Sequence, residues 1–262
     1  MKNDADCDDK LQLRDFVFSG FLENVENLCL KTDLTEKFQY FDYEHFYVFC
    51  YLFNELDDDE DGFIGRAEIE KYSRHYISSI TVDRFFSGVG IKFKNTGTSI
   101  SAIDFCDFVR LVVYEEDKMT APSITFWFKI LDLDGDGVLR YDLTDSAFEL
   151  EKFFRLNQKR MMAIEGSFYE WKDILCLVMD MMGVDRPYFT LSDLLNRYYY
   201  APHFINIFTN YGKFKHFIER DTYITPVTEP YTDFFQFYKK LYEQFTNVDP
   251  RADQEVSLAG GG

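Results

Sequence analysis

Carboxylates are concentrated in one short segment, ELDDDED, in which six of the seven residues are acidic. Counted from Asp57 as position 1, Asp59 and Asp61 occupy positions 3 and 5, and Glu68 occupies position 12. In a tightly wound loop these positions converge on one point, where the long Glu side chain closes the shell with two oxygens. Because Ca²⁺ takes about six to eight oxygen ligands in a flexible geometry, this spacing predicts a calcium site.

The residues between these acids also fit a calcium-binding loop. Gly62 at position 6 permits a sharp turn that disfavours a residue with a β-carbon. Phe63 at position 7 offers its backbone carbonyl as a ligand, and Gly65 at position 9 leaves room for water. Ile64 at position 8 is an apolar residue whose backbone can pair with a second loop of the same kind. The alternative, an acidic turn that matches by chance, does not account for this agreement.

Helices are predicted on both sides of the loop. Apolar residues recur at helical spacing before it and after it, which predicts the helix, loop, helix arrangement of an EF-hand. These residues are Phe46, Phe49, Phe53 and Leu56 upstream, and Ile69, Tyr72 and Tyr76 downstream.

A second loop of this kind begins in the segment DLDGDGVLRYDL. Its acids at positions 1, 3 and 5 are Asp132, Asp134 and Asp136. Gly137 takes position 6, and Val138 offers its carbonyl at position 7. The first half of this loop therefore predicts a second metal site.

The end of the second loop departs from the pattern. Position 12 is Leu143, the nearest carboxylate is Asp142 one residue earlier, and Arg140 adds a positive charge at position 9. Either Asp142 closes a loop shortened by one residue, or the site lacks its bidentate ligand. In the second case it binds Ca²⁺ weakly or prefers the smaller Mg²⁺.

Each metal-competent loop is expected to have a degenerate partner, because a single helix-loop-helix unit leaves its helices half exposed. After the first loop, Ile100 is the β-prone residue of a segment with almost no ligands. After the second, Phe189 takes the apolar position and Asp193 the closing position, although Pro187 replaces the glycine. We therefore predict an all-α fold, an elongated array of four EF-hand units in two lobes with additional C-terminal helices.

The boundary between the two lobes is expected in the polar stretch EEDKMTAPS. There Pro122 is predicted to end one helix and Ser123 to cap the next. The predicted divisions are a first lobe with a helical lead-in (1–118), a second lobe (119–200), a C-terminal helical segment (201–250) and a disordered tail (251–262).

The overall charge is strongly negative, since 28 Lys and Arg residues against 46 Asp and Glu residues give −18. Nucleic-acid backbones and anionic membranes require a basic surface, so neither is expected as the main partner. No uncharged apolar run is long enough to cross a bilayer, and we expect no secretory leader. The five cysteines include no CxxC pair and are expected to be reduced, in a cytoplasmic or nuclear protein.

The usual motifs of catalysis are missing from the sequence. It contains no HExxH, no GxSxG and no phosphate-binding loop. The four histidines are scattered, and none is paired with a second ligand at metal-binding spacing. We therefore predict that the chain is not an enzyme.

Several strings, in this order, resemble the B-double-prime family of regulatory subunits of protein phosphatase 2A. They are YEHFYVFCYLFNELD, VDRFFSG, FVRLVVYEEDKMTAPSITFWFKILDLDGDGVL and the LSDLL segment, and they cover roughly residues 20 to 220. The resemblance implies an array of EF-hands that acts as a non-enzymatic adaptor. Such an adaptor joins a scaffold and a catalytic subunit, directs the phosphatase to phosphoprotein substrates and responds to calcium.

The resemblance also implies a set of metal ligands. The family's ligands correspond to Asp57, Asp59, Asp61 and Glu68 in the first loop, and to Asp132, Asp134 and Asp136 in the second. At Leu143, where the family generally has an acid, the chain departs from the pattern, and Asp142 is the candidate substitute. A cytoplasmic location is expected, and association with the cytoskeleton, the centrosome or the nucleus is left open.

Two functions are compatible with these patterns. The leading prediction is a calcium-binding regulatory subunit of protein phosphatase 2A. The alternative is a stand-alone EF-hand calcium sensor or buffer that binds target peptides in a groove. An enzyme gated by EF-hands has no supporting residues.

Overall fold

The computed structural model describes residues 43–72, 76–90, 101–141, 149–166, 168–219 and 241–242. Asp142 and Ile100 lie outside these residues, as does most of the chain after residue 219, including the predicted tail. The described residues fold mainly into helices, which confirms the all-α class. None of their helices is long and apolar enough to cross a bilayer.

Ten helices and four short strands occur in the described parts of the chain. The helices are α1 (Tyr43–Leu56), α2 (Arg66–Ile69), α3 (Ser79–Phe86), α4 (Phe105–Glu116), α5 (Ala121–Leu131), α6 (Glu149–Glu165), α7 (Trp171–Met182), α8 (Leu191–Asn196), α9 (Ala201–Thr209) and α10 (Tyr211–Glu219). The strands are β1 (Ile64–Gly65), β2 (Ala102–Ile103), β3 (Val138–Arg140) and β4 (Tyr188–Thr190).

The strands join the loops in two antiparallel pairs. In the first pair, Ile64 of β1 lies opposite Ile103 of β2, and in the second, Leu139 of β3 lies opposite Phe189 of β4. The pairing through Ile64 and through Phe189 agrees with the sequence prediction, and the residue opposite Ile64 is Ile103, three residues after the β-prone Ile100. The count of four units stays a prediction, because residues 91–100 lie outside the described part of the chain.

Aromatic side chains on the helix faces form the core around these loops. The ring of Phe53 in α1 makes edge contacts with Phe105 and Phe108 of α4, each with ring centroids 5.4 Å apart. The indole of Trp127 in α5 donates a hydrogen bond to the carbonyl of Tyr114, at 2.8 Å. The largest fully buried aromatic side chains are Trp127, Tyr211, Phe108, Phe153, Phe154, Phe189, Phe204, Phe208 and Phe214.

The connection between α4 and α5 differs from the sequence prediction in its capping. Thr120, not Ser123, precedes α5 as the N-cap, and Pro122 lies in the first turn of that helix. This is where a proline fits a helix, because the first turn has no intrahelical partner for its N–H. The hydroxyl of Ser123 donates instead to the carbonyl of Tyr114, at 2.7 Å.

A buried cluster of charged and amide side chains joins the end of α4 to α9 and α10. The ammonium of Lys118 donates to Glu115 at 2.5 Å and to the amide oxygen of Asn206 at 2.8 Å. Asn210 donates to the carboxylate of Glu115 at 2.8 Å, and Lys213 donates to the backbone carbonyl of Glu115 at 2.8 Å and lies 3.0 Å from its carboxylate. Burial lowers the pKa of Lys118 to about 7, although the carboxylate of Glu115 acts in the opposite direction.

The contacts divide the chain into two compact units. One contains residues 53–232, and therefore both predicted metal loops, and the other contains residues 1–52 and 233–262. In the second unit the rings of Tyr47 and Tyr242 meet edge to face, with centroids 5.7 Å apart. The domain boundaries drawn from the sequence stay a prediction.

Candidate metal centres

The first loop folds around the carboxylate of Asp57, which directly follows α1. Its two oxygens accept the backbone N–H groups of Asp61, at 3.1 Å, and Gly62, at 2.9 Å. The carboxylate of Asp61 accepts the N–H of Phe63 at 2.8 Å. Gly62 adopts φ +79°, a conformation that a residue with a β-carbon rarely takes. The loop backbone therefore holds these acids in place.

The predicted ligands of the first loop do converge. One carboxylate oxygen from each of Asp57, Asp59 and Asp61 lies within 4.8 Å of the other two. Desolvation and the neighbouring charge of Asp61 raise the pKa of Asp59 above its ordinary value. Carboxylates this close repel one another, and an oxygen-only donor set of this kind fits Ca²⁺.

Glu68 closes the first loop from the start of α2. One of its oxygens accepts the N–H of Asp58, at position 2, over 2.9 Å. The other accepts the N–H of Gly65, at position 9, over 2.6 Å. The carboxylate thus spans the loop from its beginning to its end, as the bidentate closing ligand of a calcium loop must.

The first half of the second loop repeats this arrangement. The oxygens of Asp132 accept the N–H groups of Gly135, at 2.8 Å, and Gly137, at 3.0 Å. One oxygen from each of Asp132, Asp134 and Asp136 again lies within 4.8 Å of the other two. In the described residues, close groups of three acids occur at these two loops alone.

Glu149 closes the second loop, a role that the sequence analysis did not assign. One oxygen of its carboxylate accepts the N–H of Leu133, at position 2, in a short hydrogen bond, and also the N–H of Asp134 at 3.3 Å. The other accepts the N–H of Arg140, at position 9, over 3.4 Å. Glu149 is thus placed against positions 2 and 9 of its loop as Glu68 is against positions 2 and 9 of the first.

The chain between the two halves of this site is longer than in the first loop. Glu149 follows the expected closing position, Leu143, by six residues (149 − 143). A sequence signal was nevertheless present, because Glu149 opens an apolar helical repeat through Leu150, Phe153 and Phe154, as Glu68 precedes Ile69 and Tyr72. Whether Asp142 contributes is outside what the structure describes.

Electrostatics favour a cation beside Glu149. The side chain is buried, and burial raises its pKa to about 7, with a further contribution from Asp134, while the backbone hydrogen bonds act in the opposite direction. A cation beside this carboxylate would favour its ionised form further and lower the pKa. Arg140 forms an ion pair with Asp136 at the edge of the loop.

The fourth predicted unit has a different site. Its closing acid, Asp193, binds the guanidinium of Arg186 through both carboxylate oxygens, each at 2.6 Å. The positions that carry Asp in the metal loops are here Met182, Val184 and Arg186. This loop has no carboxylate at positions 1, 3 and 5, and its status as a degenerate partner stays a prediction.

Comparison with known proteins agrees with this geometry. A family model described as an EF-hand domain pair matches residues 46–142. A probable B''epsilon-type regulatory subunit of serine/threonine protein phosphatase 2A from Arabidopsis thaliana is 35% identical over 215 residues, covering 82% of this chain and 39% of that protein. The beta form of the human B'' regulatory subunit of this phosphatase is 38% identical over 202 residues, covering 75% of this chain and 33% of that protein.

A solved structure of a related phosphatase complex is also similar to this chain. It is a PP2A PR70 holoenzyme described as diCa, which superposes with a TM-score of 0.66 and 32% identity, over 82% of this chain and 76% of that one. The chain belongs to the B-double-prime family of protein phosphatase 2A regulatory subunits. Its relatives are named as regulatory subunits and not as catalytic ones, which agrees with the prediction that the chain is not an enzyme. It spans less than half the length of these curated relatives.

Proposed function

We propose that this B-double-prime chain is a calcium-binding regulatory subunit of protein phosphatase 2A, and that both of its acidic loops bind Ca²⁺. The single observation that carries the proposal is the placement of Glu68 and Glu149, each of which holds the amides of positions 2 and 9 of its own loop. Two loops of unequal length therefore present the same closing carboxylate.

The proposed ligands follow from this placement. In the first loop they are Asp57, Asp59, Asp61, the carbonyl of Phe63 and Glu68. In the second they are Asp132, Asp134, Asp136, the carbonyl of Val138 and Glu149, with Glu149 replacing Asp142 as the closing acid. Because the second loop then has a bidentate carboxylate, Mg²⁺ is no longer the expected occupant.

Bound Ca²⁺ supplies the positive charge that these converging carboxylates lack. Without it, Glu68 and Glu149 hold their loops through backbone amides alone, and the acids at positions 1, 3 and 5 repel one another. Each closing Glu lies at the start of a helix, α2 or α6, so its attachment to the loop sets the direction in which that helix leaves. Bound calcium would therefore fix the direction of α2 and α6 and stabilise the surface that these helices present to partners.

The partners of this chain are proposed from its relatives. We expect it to bind the scaffold and catalytic subunits of protein phosphatase 2A and to direct the enzyme to phosphoprotein substrates, from a cytoplasmic location. The sensor that acts alone is the competing function, and it predicts a chain that does not co-purify with the phosphatase.

A pull-down from lysate with and without chelator tests the proposal. The tagged chain is expected to retain the scaffold and catalytic subunits in calcium and to retain a different amount in chelator. The E68Q/E149Q double variant should behave in calcium as the wild type does in chelator. A chain that retains neither of these proteins in either condition would contradict the assignment as a regulator of the phosphatase.

The control is E70Q, because Glu70 lies next to the first loop but forms only an exposed ion pair with Arg66, at 3.7 Å. This variant should match the wild type in both conditions. A response of E70Q equal to that of E68Q/E149Q would mean that the effect comes from lost charge and not from the metal loops.

A further inference from the structure

The loop before α8 can be aligned with a calcium loop through the strand pairing. Phe189 of β4 lies opposite Leu139 of β3, so both residues stand at position 8 of their loops. Tyr188 then corresponds to Val138, whose carbonyl is a proposed ligand at position 7. Asp193 corresponds to the closing acid at position 12.

Asp193 makes the backbone contact that a closing acid makes. Its carboxylate accepts the N–H of Thr190, at position 9, over 2.6 Å, the same length as the contact between Glu68 and Gly65. It also accepts the hydroxyl of Thr190 at 2.7 Å. The exit of this loop is therefore folded as in a metal-binding unit.

The guanidinium of Arg186 contacts the two groups that would hold a metal in such a loop. Its Nη2 donates to both oxygens of Asp193, each at 2.6 Å, and its Nη1 donates to the carbonyl of Tyr188 at 2.8 Å. The ring of Tyr188 lies 4.5 Å from the guanidinium carbon. The charge-assisted bonds are of the strong kind, and the planar fork of Arg fixes their geometry.

The carboxylate of Asp193 responds to this cation. Desolvation alone would raise its pKa, but the hydrogen bonds from Thr190 and Arg186 outweigh that effect, and the pKa lies below its ordinary value. The acid is thus held as an anion by a charge that belongs to the protein itself.

The same segment is fastened to the second metal loop. The hydroxyl of Tyr141 donates to the carbonyl of Arg186 at 2.5 Å, and the N–H of Tyr141 donates to the carbonyl of Pro187 at 3.4 Å. Tyr141 directly follows β3, which is the strand of the second metal loop. Three contacts therefore link the segment of Arg186 to the proposed calcium loop. They are the two hydrogen bonds from Tyr141 and the pairing of β3 with β4.

We propose that Arg186 acts as a resident cation, closing the fourth unit without metal and so positioning the second loop for calcium. Arg186 is a positioning residue, since its described hydrogen bonds go to Asp193 and Tyr188 and to none of the proposed ligands of that loop. The inference rests on the proposed function in one respect, that the second loop binds Ca²⁺.

Calorimetric titration of the full chain with Ca²⁺ tests this proposal. In an E68Q background the titration measures calcium binding at the second loop alone. There R186M is expected to lower the affinity of the second loop for Ca²⁺ by about tenfold, the size of effect seen when a supporting residue outside a metal shell is lost. In an E149Q background the titration measures the first loop alone, and R186M should leave the calcium affinity of that loop unchanged. A general loss of stability would not separate the two loops in this way.

Two further variants complete the experiment. R186K keeps the charge but cannot reach both acceptors with a planar fork, so it should fall between wild type and R186M. K172M removes an exposed positive charge on α7, away from both metal loops, and should change nothing. R186M should already have a lower free energy of unfolding than the wild type in chelator, because the resident cation does not depend on calcium.

The outcomes separate the inference from the proposed function. If the E68Q parent binds no calcium at the second loop, the proposed function fails there and the inference fails with it. If the parent binds and R186M binds equally well, the inference alone is wrong. Should R186M not fold in chelator, R186K decides the question, since an affinity lowered at least about threefold supports the inference and one equal to the E68Q parent overturns it.

Discussion

The carboxylate of Glu149 accepts the backbone N–H of Arg140, nine residues before it, in the way that Glu68 accepts that of Gly65, three residues before it. The two contacts occupy the same place in their loops although the intervening chain differs by six residues (9 − 3). The extra residues therefore lie between the ninth position and the closing acid, where a calcium loop has no ligand. The second loop can lengthen there without losing a ligand.

Removing the extra residues should leave the second site able to bind calcium. A deletion of residues 142–147 brings Glu149 to position 12 and leaves the acids at positions 1, 3 and 5 untouched. A shorter loop has less conformational entropy to lose on closing, so its affinity should be equal to or tighter than that of the wild type. Calorimetry in the E68Q background measures this, and a loss of binding would show that the deleted segment supplies a ligand.

Arg84 should stabilise the helix that leads into the second loop. Its guanidinium donates to the last carbonyls of α5, those of Lys129 at 3.0 Å and Ile130 at 3.2 Å, and to that of Asp132 at 2.5 Å. These carbonyls have no partner within the helix, so a positive donor here both caps the helix and favours its dipole.

The R84M variant is therefore expected to lose about 1 to 3 kcal/mol of unfolding free energy, measured by urea denaturation in chelator. The control is K129M, because the side chain of Lys129 is exposed on the same helix end. Equal stability of R84M and K129M would show that the arginine does not cap α5.

The buried amine of Lys118 should give the fold a characteristic pH dependence. Burial lowers its pKa to about 7 in the folded chain, against an ordinary value of 10.5. Between these values the unfolded chain holds a proton that the folded chain has released, so raising the pH favours the folded state.

Relative to K118M, the unfolding free energy of the wild type should rise between pH 7 and pH 9, by at most about 1.4 kcal/mol per pH unit. Urea denaturation at the two pH values measures the difference. Parallel profiles for the two proteins would contradict the assignment of this titration to Lys118.

Local patterns were enough to predict the first loop. All of its proposed ligands lie between Asp57 and Glu68, so their spacing follows directly from the loop geometry. The apolar position 8 also identified one strand partner, Phe189. The sequence marked Ile100 as β-prone but named no partner for Ile64, because few ligands mark that loop, and the structure places Ile103 opposite Ile64.

The remaining features depend on contacts that a fixed count along the chain does not record. Glu149 was missed because the extra residues break the count, and Asp142 was chosen only for being near the expected position. The proposed role of Arg186 was missed because an arginine at loop position 5, where the metal loops have Asp, indicates a lost ligand. Nothing in the local pattern shows that its guanidinium replaces the metal ion. The contact between Lys118 and Asn206 joins residues 88 positions apart.

The number of calcium ions bound at saturation by four variants tests the central claim most directly. Calorimetry of the full chain is predicted to find two ions for the wild type and for D142N, and one ion each for E149Q and E68Q, because each of these variants loses a closing bidentate carboxylate. A D142N protein that loses one ion while E149Q retains both would contradict the assignment of Glu149 as the closing ligand.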